Sequence, residues 1–336
     1  MGVPPPFDPM PRRCNAKARQ VPPQRHFGVL GSLSRHRQFN SPISRDLMLD
    51  AETRDIGRKI ANCAHTIRAD VLLHKDLEPE VNLKAAKVCN TRLCPFCEWR
   101  RTRVWRKRLY SGLEALYGDQ PKLRGVFLTL TVRNVPLGQL GEQIDEMNKA
   151  WGRLYHRSFF PTSLWFRRTE VTVSAPTGGS GYFAHPHFHV LLMVKPSYFS
   201  HGYVKQLTWQ KEWMDSARLD YVPVVDVRSA KQNSAGGSGS AGDAKGAVLE
   251  AAKYAAKATE LMELGPAITE LHHQLHRRRL YAVSKDLGKY IKAGDISPDE
   301  LMDNEAKPLP EGTDCVPVVA QWFEDAKEYL IVNAVA

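Results

Sequence analysis

The stretch "YFAHPHFHVLLMV" (residues 182–194) is an apolar, β-rich run in which His185, His187 and His189 occupy alternate positions. Side chains of a strand alternate between faces, so these three histidines share one face with Leu191 and Met193. Pro186 has no amide hydrogen for a ladder and suits the start or the edge of a strand. His187 and His189 are therefore the firm pair, and His185 lies at the frayed start. Two imidazoles at i and i+2 can both reach one divalent ion. The plainer alternative is a solvated edge strand whose histidines happen to alternate.

Working outward, "LWFRRTEVTVSA" (164–175) reads as the preceding strand, joined through "PTGGSG" (176–181) in a hairpin. A hairpin closing near residues 178 and 179 sets Glu170 across from His187. A slip of one residue would turn Glu170 to the opposite face. In the right register, two histidines and a carboxylate converge with coordination positions left open, a set suited to Mg²⁺ or Mn²⁺ polarising a phosphate oxygen. "LRGVFLTLTVRNV" (123–135) is a further strand with Phe127, Thr129 and Thr131 on one face, and "YVPVVDVRSA" (221–230) another.

Helical spacing is expected over "SPISRDLMLDAETRDIGRKIANCAHTIRAD" (41–70), "CEWRRTRVWRKRLYSGLEALYG" (97–118), "YVKQLTWQKEWMDSARL" (203–219) and the Ala-rich "AKGAVLEAAKYAAKATELMEL" (244–264). Strands and helices mixed with hairpin links favour an α+β fold, an antiparallel sheet of about five strands flanked by helices. The expected organisation is a flexible Pro/Arg-rich arm (1–40), a zinc-binding, basic helical region (41–115), a catalytic domain (116–294) with a mobile Gly/Ser loop (232–242), and an acidic tail (295–336).

Net charge is +11, and its distribution is sharper than the total. From Asp295 onward ten acidic residues face two lysines, a charge of −8, which leaves +19 on the residues before it. The basic body suits a polyanion such as nucleic acid, although basic surfaces also simply keep proteins soluble. The acidic tail is read first as a solvated appendix, with contact to a helicase or competition with DNA for the basic face as the alternatives. No apolar run approaches a membrane span and no signal-peptide core is present, so a cytoplasmic protein is expected.

In "LEAAKYAAKATEL" (249–261), Glu250, Lys253, Tyr254 and Lys257 fall within about 100° of one another on one helix face. Lysines beside a phenol favour the phenolate and neutralise phosphate oxygens, which suits a nucleophile toward phosphate. A solvated face carrying a Glu–Lys pair is the bland alternative.

Cys89, Cys94 and Cys97 place three thiols in nine residues. Tetrahedral Zn²⁺ needs a fourth ligand, for which Cys63 is the first choice and His65 the second. Reduced buried thiols are the alternative. The following run holds Arg100, Arg101, Arg103, Arg106, Lys107 and Arg108 with Trp99 and Trp105 interleaved, a pattern that can clamp phosphates. The tryptophans are expected to pack inward.

Taken in order, "FLTLTVRNV" (127–135), "HPHFHVLLMVKPSYF" (185–199) and "EAAKYAAKATE" (250–260) resemble the plasmid rolling-circle replication initiators of the HUH endonuclease superfamily. "CNTRLCPFCEWRR" (89–101) is similar to the cysteine motif of that family. The resemblance spans roughly residues 60 to 290 and implies a metal-dependent nickase with an antiparallel, ferredoxin-like palm. By resemblance, His187, His189 and Glu170 hold the divalent metal and Tyr254 cuts one DNA strand at the plasmid origin through a 5′-phosphotyrosine bond, leaving a 3′-OH primer. Glu250 then activates water for the terminating cleavage, in a one-tyrosine enzyme. Lys257 holds phosphate or tunes the phenol, Lys253 contacts DNA, and His185 is an extra ligand, a supporting group or a DNA contact. A host helicase and a single-strand-binding protein are the implied protein partners. Two other readings stay open: a zinc-stabilised DNA-binding regulator without catalysis, and an HUH relaxase or transposase.

Overall fold

Period-two alternation and helical spacing resolve into discrete elements in the computed structural model, which describes residues 28–73, 80–175, 181–229, 258–292, 294, 296–297 and 314–334. Helices α1 (Gly28–Arg37), α2 (Asn40–Leu49) and α3 (Arg54–Ala61) lead into strands β1 (Thr66–Leu73) and β2 (Glu80–Ala86). The long helix α4 (Pro95–Asp119) precedes β3 (Arg124–Thr131), β4 (Val135–Pro136), α5 (Leu140–Tyr155), β5 (Trp165–Ser174) and β6 (Phe183–Val194). Then come α6 (Ser197–Ser200), α7 (Gln206–Ala217), β7 (Val225–Ser229), α8 (Ala258–Met262), α9 (Ala267–Leu275), β8 (Tyr281–Val283), β9 (Asp314–Phe323) and β10 (Glu328–Ala334). The chain divides into two units, one of residues 1–38, 62–89 and 302–336, the other of 39–61 and 90–301.

The first unit is a four-stranded antiparallel sheet in the order β10-β9-β1-β2, with α1 packed on β10. Ala69, Val71 and Val318 form its buried centre. The Tyr329 amide donates to Ser34 Oγ (3.1 Å), tying the helix to the sheet, and Arg37 lies over the Trp322 ring.

Four expectations need correction here. The acidic tail is not an appendix from residue 314 on, because β9 and β10 make half of this sheet. Val318, Ala320 and Trp322 alternate inward while Glu324 and Asp325 occupy the turn, so summed charge hid a period-two pattern. Helix α1 occupies Gly28–Arg37, inside the stretch expected to be a flexible arm (1–40), whose first 27 residues lie outside the described ones. The 41–115 region is not wholly helical, since β1 and β2 lie within it. The expected single helix over 41–70 breaks after Leu49 at an extended Asp50, and Thr53 Oγ1 donates to Leu47 O (2.8 Å). The chain then folds α3 back on α2 so closely that a Cβ at Gly57 would lie 2.7 Å from Ser44 O.

The second unit is built on an antiparallel sheet in the order β7-β3-β6-β5-β8, with β4 also paired to β6. The histidine strand β6 is therefore central, not an edge. Pro186 is tolerated because it falls where the β3 ladder has stopped, at His187, and the β4 ladder has not begun, at Ala184. One face carries Val126, Leu128, Leu130, Phe188, Val190 and Leu192 against Trp151 and Leu154 of α5 and Trp209 and Trp213 of α7. Even-numbered residues of β6 thus fill the core, and the odd-numbered histidines face the other way. On that second face α4 stacks Trp105 on Tyr281 (4.8 Å) and packs it against Phe166 (5.5 Å).

Phe188 is fully buried and Leu207 is 75% exposed. Phe188→Ala should cost about 3–5 kcal/mol of stability, and Leu207→Ala should stay within about 0.5 kcal/mol. Chemical denaturation followed by circular dichroism checks the contrast.

Candidate metal centre

Strand register brings the donors together. Glu170 pairs directly with His187, as the hairpin reading required, while Arg168 pairs with His189 and Thr172 with His185. On the other side of β6, Thr131 pairs with His187 and Thr129 with His189. Glu170 Oε2 lies 2.9 Å from His189 Nε2 and 3.7 Å from His187 Nε2. One ligand atom from each of Glu170, His187 and His189 falls within 4.8 Å of the other two.

The far nitrogens aim the near ones. His187 Nδ1 faces the His185 carbonyl (3.4 Å), which can only accept, so Nδ1 is the donor there and Nε2 is turned toward Glu170. His189 Nδ1 contacts Thr129 Oγ1 (3.3 Å), and its ring stacks on Phe127 (5.4 Å). Such supporting contacts orient metal-ligating imidazoles. Burial alone would raise the Glu170 carboxyl. The imidazoles of His187 and His189, by contact and by charge, more than reverse this and hold it well below the usual carboxylate range. Its buried Oε2 nevertheless lacks an aligned hydrogen-bond donor among the described residues. An orphaned carboxylate oxygen between two Nε2 atoms fits a divalent cation.

His185 does not join the three. Its ring lies 5.4 Å from that of His187, and it is held below the ordinary histidine value by burial and then by the His187 charge. Glu250, Lys253, Tyr254 and Lys257 lie outside the described residues. Helix α8 begins four residues after Tyr254, at Ala258, and packs against β5, the strand that carries Glu170.

The basic run divides by helix face. Arg100, Arg101 and Arg108 are buried, which removes them from a phosphate clamp on the outer surface of α4. Arg101 bonds Glu98 (2.6 Å) and Asn90 Oδ1 (2.9 Å), and Arg108 bonds the carbonyls of Lys292 (3.3 Å) and Gly294 (3.1 Å). Arg103 is exposed, with Arg106 and Lys107 half-buried beside it. Trp105 packs inward as expected.

Of the expected zinc ligands, Cys63 and Cys89 lie in the first unit and Cys94 and Cys97 in the second. In the first unit Cys63 is buried, and the Cys89 amide points at its sulfur (3.4 Å). His65, the alternative to Cys63, is exposed. In the second unit Cys94 caps α4, with Pro95 in its first turn and Cys97 buried one turn on.

Sequence reading missed four residues on this face. Arg168 is fully buried, 3.7 Å from Glu98 Oε1, and its guanidinium has no hydrogen-bond partner among the described residues. Glu98, Tyr281 and Thr129 complete the surroundings. Arg168 was findable, being two residues from Glu170 and so on the same strand face.

A family model described as "Replication protein" matches residues 80–330. The chain belongs to this replication protein family. It is 32% identical over 288 residues to a "Protein rep" of Streptococcus pneumoniae serotype 2, covering 82% of this chain and 84% of that protein. A "Protein rep" of Bacillus amyloliquefaciens is 32% identical over 274 residues, covering 75% of this chain and 78% of its own. One from Lactiplantibacillus plantarum is 30% identical over 287 residues, covering 80% and 88%. No solved structure matches the chain. Among the described residues, no helix of this replication protein is long and apolar enough to cross a membrane.

The full chain should bind one Mn²⁺ through Glu170, His187 and His189. Calorimetric titration should find no binding at this site in His189→Ala and about tenfold weaker binding in Thr129→Val, at unchanged circular dichroism.

Proposed function

We propose that this replication protein initiates rolling-circle replication by nicking one strand at a plasmid origin, in the cytoplasm. The observation that carries the reading is the orphaned Glu170 carboxylate oxygen facing two histidine Nε2 atoms. Mg²⁺ or Mn²⁺ held by His187, His189 and Glu170 would polarise a phosphate oxygen and neutralise charge developing there.

The chain's own groups perform the transfer. The Tyr254 phenol oxygen attacks the scissile phosphorus, forming a phenol–phosphate bond as the bond to the 3′ oxygen breaks. The phenol loses its proton and the departing 3′ oxygen gains one, so a 3′-OH primer and a 5′-phosphotyrosine result. Lys257 and Lys253 supply positive charge to the phosphate and its neighbours, and Glu250 activates the water that ends the cycle. Support for this placement comes from the packing of α8 on β5 and from the resemblance of "EAAKYAAKATE" to the family's tyrosine helix. Arg103, Arg106 and Lys107 are left as the outward-facing DNA contacts of α4. Zn²⁺ held by Cys63, Cys89, Cys94 and Cys97 would supply structure and no chemistry. A host helicase and a single-strand-binding protein complete the proposed machinery.

Tyr254→Phe should bind origin DNA normally while nicking and the protein–5′-DNA adduct both vanish on supercoiled plasmid. Nicking by that variant would overturn the mechanism. Glu250→Ala should still nick yet release product poorly at termination. Metal analysis of the purified chain should find one Zn²⁺, lost in Cys94→Ser together with much of its thermal stability.

A further inference from the structure

Strand β7 ends the sheet of the second unit, paired on one side with β3 and on the other with no strand among the described residues. The Thr131 amide donates to Val224 O (3.3 Å), so Val224, Asp226 and Arg228 turn their main-chain groups to β3 and the residues between them turn theirs outward. Two outward carbonyls are answered from α7: Gln210 Nε2 donates to Pro223 O (2.7 Å) and Gln206 Nε2 to Val225 O (2.8 Å). At Val227 and Ser229 the outward amide and carbonyl have no partner among the described residues. Val222 and Val224, which lead into the strand, and Leu207, next to Gln206, are 67, 71 and 75% exposed. An open edge bordered by apolar side chains is a template for another strand.

The charges on β7 select the strand that fits. A lone charge, most often a lysine, protects many edge strands because a second copy brings the same charge to it. Here Asp226 and Arg228 carry opposite signs on either side of Val227. Antiparallel pairing of two β7 strands about Val227 sets Asp226 of each copy across from Arg228 of the other, while the two Val227 residues exchange both main-chain bonds. Within one chain the two charges bond one another, Arg228 Nε to Asp226 Oδ2 at 2.7 Å, and the arginine is largely exposed. Each can therefore trade its partner for the same partner across the edge at little cost.

We propose that β7 is the interface through which a second copy of this chain joins, the two sheets running on edge to edge and antiparallel about Val227. The two-fold axis of such a pair stands perpendicular to the sheet, which keeps the same face of both copies on the same side. Asp226 registers with Thr129, and Thr129 with His189, so the charged pairs lie on the histidine face. Both candidate metal centres then share one face, five strand spacings or roughly 24 Å apart. That two nicking centres meet one DNA molecule rests on the proposed function, and the pairing itself does not.

The test is sedimentation equilibrium of the full chain without DNA, over a roughly hundredfold range of concentration. The parent should pass from monomer to dimer across that range. Arg228→Asp sets carboxylate against carboxylate in both symmetry-related pairs and should weaken association about tenfold or more. Asp226→Arg combined with Arg228→Asp reverses both charges and should return association to within about threefold of the parent, which a misfolded single variant would not allow. Amide exchange at Val227, read by mass spectrometry, should slow as the dimer forms. A parent that stays monomeric overturns the proposal, as does an Arg228→Asp variant that associates like the parent, which puts the interface elsewhere. It is also overturned if the double variant stays as weak as the single one. Protection of the Val227 amide that is equal at every concentration overturns it too, since the chain's own segment then covers the edge.

Discussion

The pairing of Glu170 with His187 across β5 and β6 is the constraint on which the site depends. Side chains alternate along a strand, so a slip of one residue would send Glu170 to the core and a hydrophobic neighbour to the histidines. The core prevents that slip. Phe188, Val190 and Leu192 are fully buried against α5 and α7, and moving β6 by one residue would expose them and bury the imidazoles instead. Packing on one face thus holds the chemistry on the other in register, and no separate device is needed to position the three donors.

Electrostatics on the histidine face follow from that geometry. Glu170 stays ionised although largely buried, because His187 and His189 offset its loss of solvation. One pairing away, Arg168 is buried beside His189 and meets Glu98 from α4, which also bonds Arg101. Removing one partner of a buried pair costs more than the pair contributes, since the other charge is left without compensation. Glu98 therefore links the placement of α4 to the strand that carries the metal ligand. Burial pushes the Tyr281 phenol up to about 12, with the nearby Arg168 charge working against the shift.

Much of this was legible in the sequence, for a physical reason. Half-buried strands alternate, so the "HPHFH" and "RRTE" runs announced both their faces and, through the short hairpin, their register. Where charge was summed without regard to period, the reading failed. The residues around Trp322 were counted as an acidic tail although they alternate like the strand they form. The arginines after Cys97 were read as one basic patch although Arg101 and Arg108 fall at helical spacing with Val104 and Trp105, the apolar stripe of α4. The same spacing would have separated Arg103, on the outer face, from its buried neighbours. Contacts between distant segments, such as Arg168 with Glu98, had no sequence signal beyond the strand face of Arg168.

Anomalous diffraction from crystals soaked in Mn²⁺, recorded at the manganese edge, tests the central claim most directly. A single strong peak within about 2.0–2.3 Å of a Glu170 carboxylate oxygen and of the Nε2 atoms of His187 and His189 is the predicted result. A peak elsewhere in the chain, or three side chains bonded only to one another at saturating Mn²⁺, would contradict it.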